Sequence, residues 1–526
     1  MNKQFDELSK STTKDSSRLR KLWLAVLVPA LGLTLLGFNA RHGAFAARPT
    51  AAAVSTQEGE FTRGPIVVIS DPDPMADFRV HNWNFSTRET ELETTLSVNP
   101  ANPKNIAAIW RAHDGSADAV SVTLDGGATW QIVAIPGISL GSGGTYPDTA
   151  DPWISFAPNG NLYAINLGFG AGPSDIFVSK STNGGLAWSS PILVSGTSVD
   201  FADRPSVTPD PGNPNFVYAT WDTGILGGPA MLHFARTTDG GQTWESARSI
   251  YDAPTGNAVW VPQIMPLPNG TLVCIFTELI LTGVNTKGVP QYNYALSVMR
   301  SADKGLTWSA PIKVAAQQPR IDPKPRDFPW WATVTDPDTD KGIAAAGMGN
   351  ALAVNPGNGN LYAVWIDASF NGGEYNSIAF SQSTDGGFTW SHPIKVNRTP
   401  NDIPVLNRQA FFPTVAVAAN GTVGVSYYDL RKNTPASGAL ADYWLVYCRP
   451  SSSEPATDPD NWRHETRLTD VSFDVEESAG NSIGGAVAYW LGDYQGLGTV
   501  GNSFVATWGQ PYGDSPDRVL FRKVGP

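Results

Sequence analysis

Arginine and aromatic side chains are concentrated in one long segment, residues 316–349, and their chemistry suits a sugar. Arg326, Phe328 and the adjacent pair Trp330 and Trp331 all lie there. Indole rings offer flat apolar faces for stacking, and a guanidinium group can pair with a carboxylate through two hydrogen bonds. We therefore expect Arg326, Trp330 and Trp331 to contact a ligand. The alternative is that the tryptophans only pin a long loop to the domain.

The same segment contains alternating carboxylates at Asp336, Asp338 and Asp340, the pattern that begins a calcium-binding loop. Lys341 stands where such a loop needs glycine, and no glutamate occupies its twelfth position. A solvated acidic turn is therefore favoured, and calcium is the one cofactor for which the sequence offers ligands. The six histidines are scattered, which argues against a histidine-based metal site.

Charged residues recur where predicted strands end or begin, although only 16% of the chain is charged. If the strands form repeated hairpins, these positions share one face, and a ring of both signs there predicts a ligand site. The alternative is that the charges pair with one another and line a solvated channel. The ends of second strands supply Arg111, Asp222, Glu278, Asp367, Asp429 and Arg431, and the starts of first strands supply Glu93, Asp151, Asp203, Arg204, Arg408, Asp493 and Tyr494.

Five copies of one turn motif indicate the elements that position these residues. The pattern is [S/T]-x-[D/N]-x-G-x-[T/A]-W: the Asp or Asn caps backbone N–H groups, the glycine supplies a positive φ, and the tryptophan buries a large apolar surface. Equal units at this spacing predict a repeat fold, and radial repetition of small sheets is a β-propeller. The copies are 123–130, 181–188, 237–244, 301–308 and 383–390.

Between these turns an apolar hairpin recurs seven times, which predicts seven four-stranded blades, with six as the alternative. The sixth blade has a degenerate turn in which Trp462 replaces the motif tryptophan. The seventh keeps only its third strand, residues 518–524. We expect residues 65–70 to supply its fourth strand, so that pairing of the two chain ends closes the ring and hides two sheet edges.

The turn motif resembles the Asp-box, and residues 64–526 resemble the Asp-box (BNR-repeat) proteins of the sialidase superfamily. Those enzymes hold a substrate carboxylate with three arginines, and use an aspartate as acid/base and a tyrosine as nucleophile. The resemblance implies Arg111, Arg204, Arg408 and Arg431 as carboxylate ligands. It implies Asp118 or Asp114 as the acid, and Tyr494 or Tyr428 as the nucleophile.

Several positions depart from the sialidase pattern. The first strand begins with Leu92 and Glu93 and has no arginine, Val261 stands where a glutamate would be needed, and Phe411 or Phe412 stands where the tyrosine would be. Recognition of a glycan or an envelope protein through the loop face is therefore the favoured function. An exo-glycosidase acting on acidic sugars is the alternative, and an assembly scaffold is a further one.

Bulk composition adds limits. A formal net charge of −12 argues against binding to nucleic acid or to an anionic membrane by charge. Cys274 and Cys448 fall in strands of different repeats, so we expect two buried free thiols.

Residues 1–46 predict an export signal or signal-anchor with an apolar run at 22–38, followed by a linker at 47–63. The propeller would then be secreted, periplasmic or extracellular, with any membrane attachment only through an uncleaved N-terminal segment.

Overall fold

Small, mainly antiparallel β-sheets of four or five strands make up the structure, a computed structural model. It describes residues 61–72, 90–112, 115–170, 172–196, 201–224, 229–286, 290–320, 333–344, 349–483 and 486–526. These residues belong to one compact unit, Thr56–Pro526. They contain no α-helix, only short 3₁₀ helices at Leu140–Ser142, Ser369–Asn371, Val405–Arg408, Pro459–Asn461 and Val475–Glu477. The predicted all-β class is confirmed.

Within these ranges the strands form eight sheets, and seven of them follow one another along the chain. Two short N-terminal strands, β1 (Thr62–Arg63) and β2 (Val67–Val68), precede them. Sheet 1 holds β3 (Leu92–Val98), β4 (Ile106–Ala112), β5 (Ala117–Thr123) and β6 (Gln131–Ala134). Sheet 2 holds β7 (Asp148–Phe156), β8 (Leu162–Phe169), β9 (Asp175–Ser181) and β10 (Ile192–Leu193). Sheet 3 holds β11 (Ala202–Pro209), β12 (Val217–Thr223), β13 (Met231–Thr237) and β14 (Arg248–Asp252).

Sheet 4 holds β15 (Ala258–Pro266), β16 (Leu272–Val284), β17 (Pro290–Ser301) and β18 (Ile312–Gln317). The next strands along the chain are β19 (Thr333–Thr335) and β20 (Gly342–Ala344). Sheet 5 holds β21 (Asn350–Val354), β22 (Leu361–Asp367), β23 (Ser377–Ser383) and β24 (Ile394–Lys395). Sheet 6 holds β25 (Ala410–Val417), β26 (Val423–Asp429), β27 (Leu440–Cys448) and β28 (His464–Arg467), and β29 (Phe473–Asp474) also pairs with β27.

The eighth sheet joins two insertions that lie far apart in sequence. Strands β19 and β20, from the connection between sheets 4 and 5, pair with β30 (Ala479–Ile483) and β31 (Ala486–Trp490), from the connection before sheet 7. The pairing of β20 with β31 is parallel. Trp490, at the end of β31, packs against Leu92 and Ala344. This sheet therefore carries a buried tryptophan to the first strand of sheet 1.

Sheet 7 holds β32 (Gly496–Val500), β33 (Ser503–Tyr512) and β34 (Ser515–Gly525). The short N-terminal strands β1 and β2 both pair with β34, with Val67 opposite Phe521. The predicted pairing of the chain's two ends is confirmed. It covers the edge of β34, which would otherwise be open to another chain.

The first strands of the seven sheets contact one another in succession, from β3 through β7, β11, β15, β21 and β25 to β32, and β32 contacts β3. Each sheet thus packs on the next, and the last packs on the first. Radial repetition of four-stranded sheets is the architecture of a β-propeller. In each of these seven sheets, whose strands run antiparallel, the turns after the first and third strands lie at one edge. The loops after the second and fourth strands lie at the opposite edge, which we call the loop face.

The five motif turns have nearly the same geometry. In the first, Asp125 Oδ1 accepts backbone N–H groups of Ala128 and Thr129 at 2.9 and 3.0 Å, and Gly127 N donates to Thr123 Oγ1 at 3.0 Å. Hydrogen bonds from Thr129 lower the pKa of Asp125. The aspartate side chain therefore accepts hydrogen bonds from backbone N–H groups that have no backbone acceptor within the tight turn.

Tryptophans of these turns join each sheet to the one before it. The Trp130 ring lies 4.9 Å from Phe521 of sheet 7, and Trp308 lies 5.6 Å from Phe234 of sheet 3. Trp462, in the degenerate sixth turn, is fully buried and contacts Phe380 of sheet 5 at 4.8 Å. Trp462 thus takes the structural position of a motif tryptophan, as predicted.

Cys274 and Cys448 are buried free thiols, which confirms that prediction. No helix in the described ranges has the length and hydropathy of a membrane span. The expected export segment, its apolar run at 22–38 and the linker to residue 60 lie outside the described residues.

Candidate functional site

Five first strands begin with the same irregularity, a β-bulge whose first residue has a positive φ. A left-handed conformation costs a residue other than glycine about 1–3 kcal/mol, and bulges redirect side chains next to functional sites. In four of the five sheets a proline follows this residue. The bulge residues and their φ values are Glu93 (57°), Asp151 (50°), Arg204 (49°), Val261 (54°) and Phe412 (52°).

Carboxylates of one sheet satisfy the bulged backbone of the next. Asp151 N donates to Glu93 Oε2 at 3.0 Å, and Arg204 N donates to Asp151 Oδ2 at 3.4 Å. Val261 N donates to Asp222 Oδ2 at 3.1 Å. The acidic residues at these strand ends therefore hold the ring together, which is one reason for their presence.

Arg204 is the centre of a charged group that we call the central cluster. Its guanidinium is ion-paired with Asp493 and lies 5.3 Å from the Trp260 ring. Tyr494 Oη donates to Asp151 Oδ1 at 3.3 Å, and its ring lies 6.0 Å from that of Trp153. Sheets 1, 2, 3 and 7 all contribute. The members are Glu93, Arg111, Asp151, Asp203, Arg204, Asp222, Asp493 and Tyr494.

The eighth sheet reaches this cluster through Trp490. Its Nε1 donates to Asp493 Oδ1 at 2.8 Å, and its ring lies 5.6 Å from the Arg111 guanidinium. Arg111 Nε also donates to the carbonyl of Thr149 at 3.1 Å. One indole thus contacts both an acidic and a basic member, and orients them.

Carboxylates outnumber cations in the central cluster. Burial, then repulsion from Asp151, raises the pKa of both Glu93 and Asp203. Burial raises the pKa of Asp493 even though Arg204 opposes the shift. Burial alone would lower the pKa of Arg204, but Asp493 and its acidic neighbours raise it. Acids with shifted pKa values, gathered around one arginine, are a physical mark of a functional site.

A cavity of about 50 Å³ opens at the middle of the ring beside this cluster. Its lining includes Trp153, Arg204, Asp493 and Tyr494, while Val261, Phe412 and the prolines that follow them add apolar surface. That volume holds a few water molecules or one end of a larger ligand. The β-bulges at Arg204, Val261 and Phe412 therefore present both charged and apolar groups to the cavity.

Several buried polar atoms around the cavity have no hydrogen-bond partner within the described part of the chain. They are Arg204 Nε, Asp222 Oδ1, Trp260 Nε1 and Asn350 Oδ1. Buried donors and acceptors normally find partners, because leaving one unpaired costs about 1–3 kcal/mol. Their distribution fits a site for water or for the hydroxyl groups of a ligand.

Asp118 lies beside the central cluster, opposite Arg111 in the pairing of β4 with β5. Asn166 Nδ2 donates to its Oδ2 at 2.7 Å, while its Oδ1 has no partner among the described residues. Burial raises the pKa of Asp118 to about 7, against the hydrogen bond from Asn166. Such a carboxyl group can hold or release a proton near neutral pH.

The structure separates other predicted site residues from the cavity. Tyr428 is fully buried in an aromatic core beside Phe411 and Tyr443, and its hydroxyl donates to the carbonyl of Gly509 at 2.7 Å. Arg408 ends a 3₁₀ helix between sheets 5 and 6, and its Nε donates to the carbonyl of Ile403 at 2.7 Å. These positions give Tyr428 the role of a core residue and place Arg408 away from the central cluster.

Arg431 belongs to a second charged group, which we call the outer cluster because it includes the fourth strand of sheet 6. Arg431 donates to Asp429 Oδ2 at 2.6 Å and to both oxygens of Glu465. It also donates to Tyr427 Oη at 2.9 Å and lies 3.9 Å from the Trp444 ring. Of the four arginines proposed as carboxylate ligands, Arg111 and Arg204 therefore lie in the central cluster, whereas Arg408 and Arg431 lie away from it. The charged end of the second strand of sheet 6 faces the fourth strand of that sheet rather than the central cavity.

The calcium expectation needs correction. Asp336 Oδ1 accepts from Asp338 N at 2.9 Å, and Asp338 Oδ2 accepts from Gly438 N at 3.0 Å, so these carboxylates cap backbone groups. Among the described residues, the ligand atoms that come within 4.8 Å of one another belong to Glu93, Asp151 and Asp493, and Asp340 is not with them. Arg204 already supplies positive charge to that group.

Asp114, Arg326, Trp330 and Trp331 lie outside the described residues, so their predicted roles stay predictions. Sequence reasoning missed Trp153, Trp260 and Trp490 as neighbours of the site. A signal for the first two was available, because a dipeptide ending in proline recurs at the start of first strands, as in Asp151-Pro152 before Trp153 and Val261-Pro262 after Trp260. No such signal marks Trp490.

Comparisons with known proteins give the following. No family model matches the chain, and no curated protein matches it. Similar solved structures include a PL25 ulvan lyase, at 9% identity and a TM-score of 0.47 over 83% of this chain and 94% of that one. They also include the α-L-arabinofuranosidase Arb93A of Fusarium graminearum, at 10% identity and a TM-score of 0.42 over 64% of this chain and 88% of that one. The Hadza microbial sialidase Hz136 is similar at 15% identity and a TM-score of 0.41, over 81% of this chain and 74% of that one. Because the sequence identities and TM-scores are this low, the function of this chain has to be inferred from its own residues.

Proposed function

We propose that this chain is an exported seven-bladed propeller that recognises a glycan, or an envelope partner bearing one, through the loop face. The observation that carries the proposal is the central cavity. Trp153 of sheet 2, Arg204 of sheet 3, and Asp493 and Tyr494 just before sheet 7 line it, and buried polar atoms of Arg204 and Asn350 in its wall lack partners among the described residues. Aromatic faces beside fixed donors and acceptors are the chemistry that binds sugar rings.

The charge balance favours a neutral sugar over an acidic one. Arg111 and Arg204 face carboxyl groups from sheets 1, 2, 3 and 7, and Arg204 is already paired with Asp493. An added anion would meet repulsion in this cavity. Sugar hydroxyls both donate and accept, so they can pair with the free oxygen of Asn350 and the free Nε of Arg204 in the cavity wall.

A glycan array followed by calorimetry tests the proposal. We expect a neutral glycan to bind the purified protein, and Tyr494→Phe and Trp153→Ala to weaken binding about tenfold or more, equivalent to about 1.4 kcal/mol. The control is Leu306→Ser, an exposed position in a motif turn at the opposite edge of its sheet. Binding that survives the cavity variants but is lost in the control would place recognition on the other face.

A second candidate function is hydrolysis of a glycoside, and a specific pair of observations favours it. Tyr494 Oη lies 3.3 Å from Asp151 Oδ1, and a tyrosine nucleophile needs such a carboxylate beside it as a general base. Asp118, buried beside the central cluster with its pKa raised to about 7, would be the general acid. Turnover of a chromogenic glycoside that both Tyr494→Phe and Asp118→Asn abolish would establish catalysis, and a panel without turnover would leave recognition alone.

A further inference from the structure

One hairpin extends well beyond the sheet to which it belongs. Strands β16 and β17 have 13 and 12 residues, whereas the second strands of sheets 1, 3, 5 and 6 have seven. Strands β15 and β18 pair with this hairpin only as far as Leu279 and Tyr294. Beyond them, residues 280–284 and 290–293 pair with each other and extend from the loop face for about 17 Å. We call these residues the arm.

Contacts at its base hold the arm against the body of the protein. Leu281 N donates to Asn257 Oδ1 at 3.0 Å, and Thr282 Oγ1 donates to the carbonyl of Gln291 at 3.0 Å. Gly256 lies so close to the arm that a Cβ atom there would be 2.8 Å from Leu281 Cδ2. A two-stranded ribbon alone is only marginally stable in water, so these contacts are what keep the arm in place.

The two faces of the arm differ in chemistry. Successive residues of a strand point to opposite faces, and directly opposed residues of two strands share a face. Tyr292 is opposite Leu281, and Pro290 is opposite Val284, so all four side chains lie on one face. The other face carries Ile280 opposite Asn293, and Gln291. We call Leu281, Val284, Pro290 and Tyr292 the apolar stripe.

The apolar stripe begins at the wall of the central cavity. Trp260 packs with Tyr294, and Tyr292 and Val261 pack against that pair. Val261 also lines the cavity, and the Trp260 ring lies 5.3 Å from the guanidinium of Arg204, another lining residue. A ligand that extends out of the cavity beside Val261 would therefore meet the stripe next.

The composition of the arm suits a neutral sugar chain. None of its described residues carries a charged side chain. Val284 at the tip is 65% exposed and Leu281 is 38% exposed, and exposed apolar patches of this kind mark contact sites. Tyr292 offers an aromatic face with a hydroxyl group, which matches the apolar faces and hydroxyls of a sugar ring. The central cavity, at about 50 Å³, holds only one end of such a chain, so the rest of the chain lies outside it.

We propose that the apolar stripe binds the part of a neutral glycan chain that extends out of the central cavity. The molecule then recognises an oligosaccharide or a polysaccharide rather than a single sugar. This inference rests on the proposed function, because it takes the occupant of the cavity to be one end of that chain.

Calorimetry with neutral oligosaccharides of increasing length tests the proposal on the purified protein. The probes are cello-, xylo-, manno- and laminari-oligosaccharides of one to six units. For the series that binds, we expect wild-type affinity to rise about tenfold or more between one and four units. Tyr292→Ala and Val284→Ser should each remove most of that rise. Ile280→Ser, on the opposite face of the arm, is the matched control and should keep it.

Val284 is exposed, so Val284→Ser keeps the test open if Tyr292→Ala fails to fold. An unchanged dependence on chain length in the stripe variants, or an equal loss in Ile280→Ser, would overturn the proposal. Sedimentation velocity tests another occupant, since a wild-type dimer that Val284→Ser separates would assign the stripe to a second copy of this chain.

The same measurements separate this inference from the proposed function. Tyr494→Phe should weaken the binding of every chain length, because it acts in the cavity. If Tyr494→Phe abolishes binding while the stripe variants change nothing, the cavity still recognises a glycan and the stripe does not. If no series binds at any length, the proposed function itself is contradicted, and the role of the stripe falls with it.

Discussion

The central and outer clusters use the same kinds of residue and reach opposite results. Each has an arginine beside a tryptophan, two or more acids and a tyrosine. In the outer cluster Arg431 has a partner for every part of its guanidinium group. In the central cluster Arg204 Nε and Asp222 Oδ1 have no partner among the described residues, and a cavity lies beside them. The difference indicates that saturation of hydrogen bonds, rather than residue type, separates a structural ion cluster from a binding site.

The largest expected effect comes from removing each arginine. Arg431→Met leaves Asp429 buried without its cation, and breaking such a pair costs about 3–5 kcal/mol of unfolding free energy. Arg204→Met should cost about 1–2 kcal/mol, because its acidic partners already favour protonation and face a cavity. Urea denaturation measures both. The control, Arg463→Met, breaks an exposed pair with Glu454 and should leave the unfolding free energy nearly unchanged, because solvent screens such a pair. Equal losses at Arg431 and Arg204 would remove the distinction between the clusters.

The next effect concerns pH and Asp118. The pKa of Asp118 is about 7 in the folded protein, above the ordinary value of 3.8, so the folded state binds its proton more tightly. The stabilisation that comes from protonated Asp118 is therefore fully present at low pH. The unfolding free energy falls as pH rises from about 4 to about 7, by up to about 1.4 kcal/mol per pH unit.

Asp118→Asn should flatten that part of the stability profile and raise the unfolding free energy at pH 8, as measured by denaturation at several pH values. Asp402→Asn, at an exposed position, is the control and should leave the profile unchanged. A profile for Asp118→Asn parallel to that of the wild type would contradict the expectation.

The smallest expected effect is the loss of stability when the hydroxyl group of one of two tyrosines is removed. Tyr427 Oη contacts Arg398 N, Arg431 and Glu465, whereas Tyr494 Oη has one bond at 3.3 Å. Tyr427→Phe should cost about 1–2 kcal/mol of stability, and Tyr494→Phe less than about 0.5 kcal/mol while weakening ligand binding. Thermal unfolding and calorimetry separate the two. A larger stability loss at Tyr494 would assign that tyrosine a structural role.

Features that are set by local sequence patterns could be predicted from the sequence. The repeated hairpins, the motif turns, the substitute tryptophan Trp462 and the pairing of the chain ends all follow from periodicity and turn chemistry, and the structure contains them. The gathering of Glu93, Asp151, Arg204, Asp493 and Tyr494 also followed, because strand direction alone assigns strand ends to one face.

Other features depend on register and on distant pairing, which a single sequence does not fix. Tyr427 and Tyr428 are neighbours, yet one reaches the outer cluster and the other the aromatic core, since successive strand residues point to opposite faces. The eighth sheet joins β20 to β31 across more than a hundred residues, so the approach of Trp490 to Arg111 had no local signal. Arg408 and Arg431 fell outside the cavity for the same reason.

The pairing of β1 and β2 with β34 has a consequence for how the molecule is made. Sheet 7 contains strands from residues 62–68 and 515–525, so it cannot be completed until residues 515–525 have been translated. An emerging chain must therefore keep its first segment available while the other sheets form. Deleting residues 61–68 would leave β34 with a bare edge, and newly made molecules would then tend to stick to one another rather than close individually.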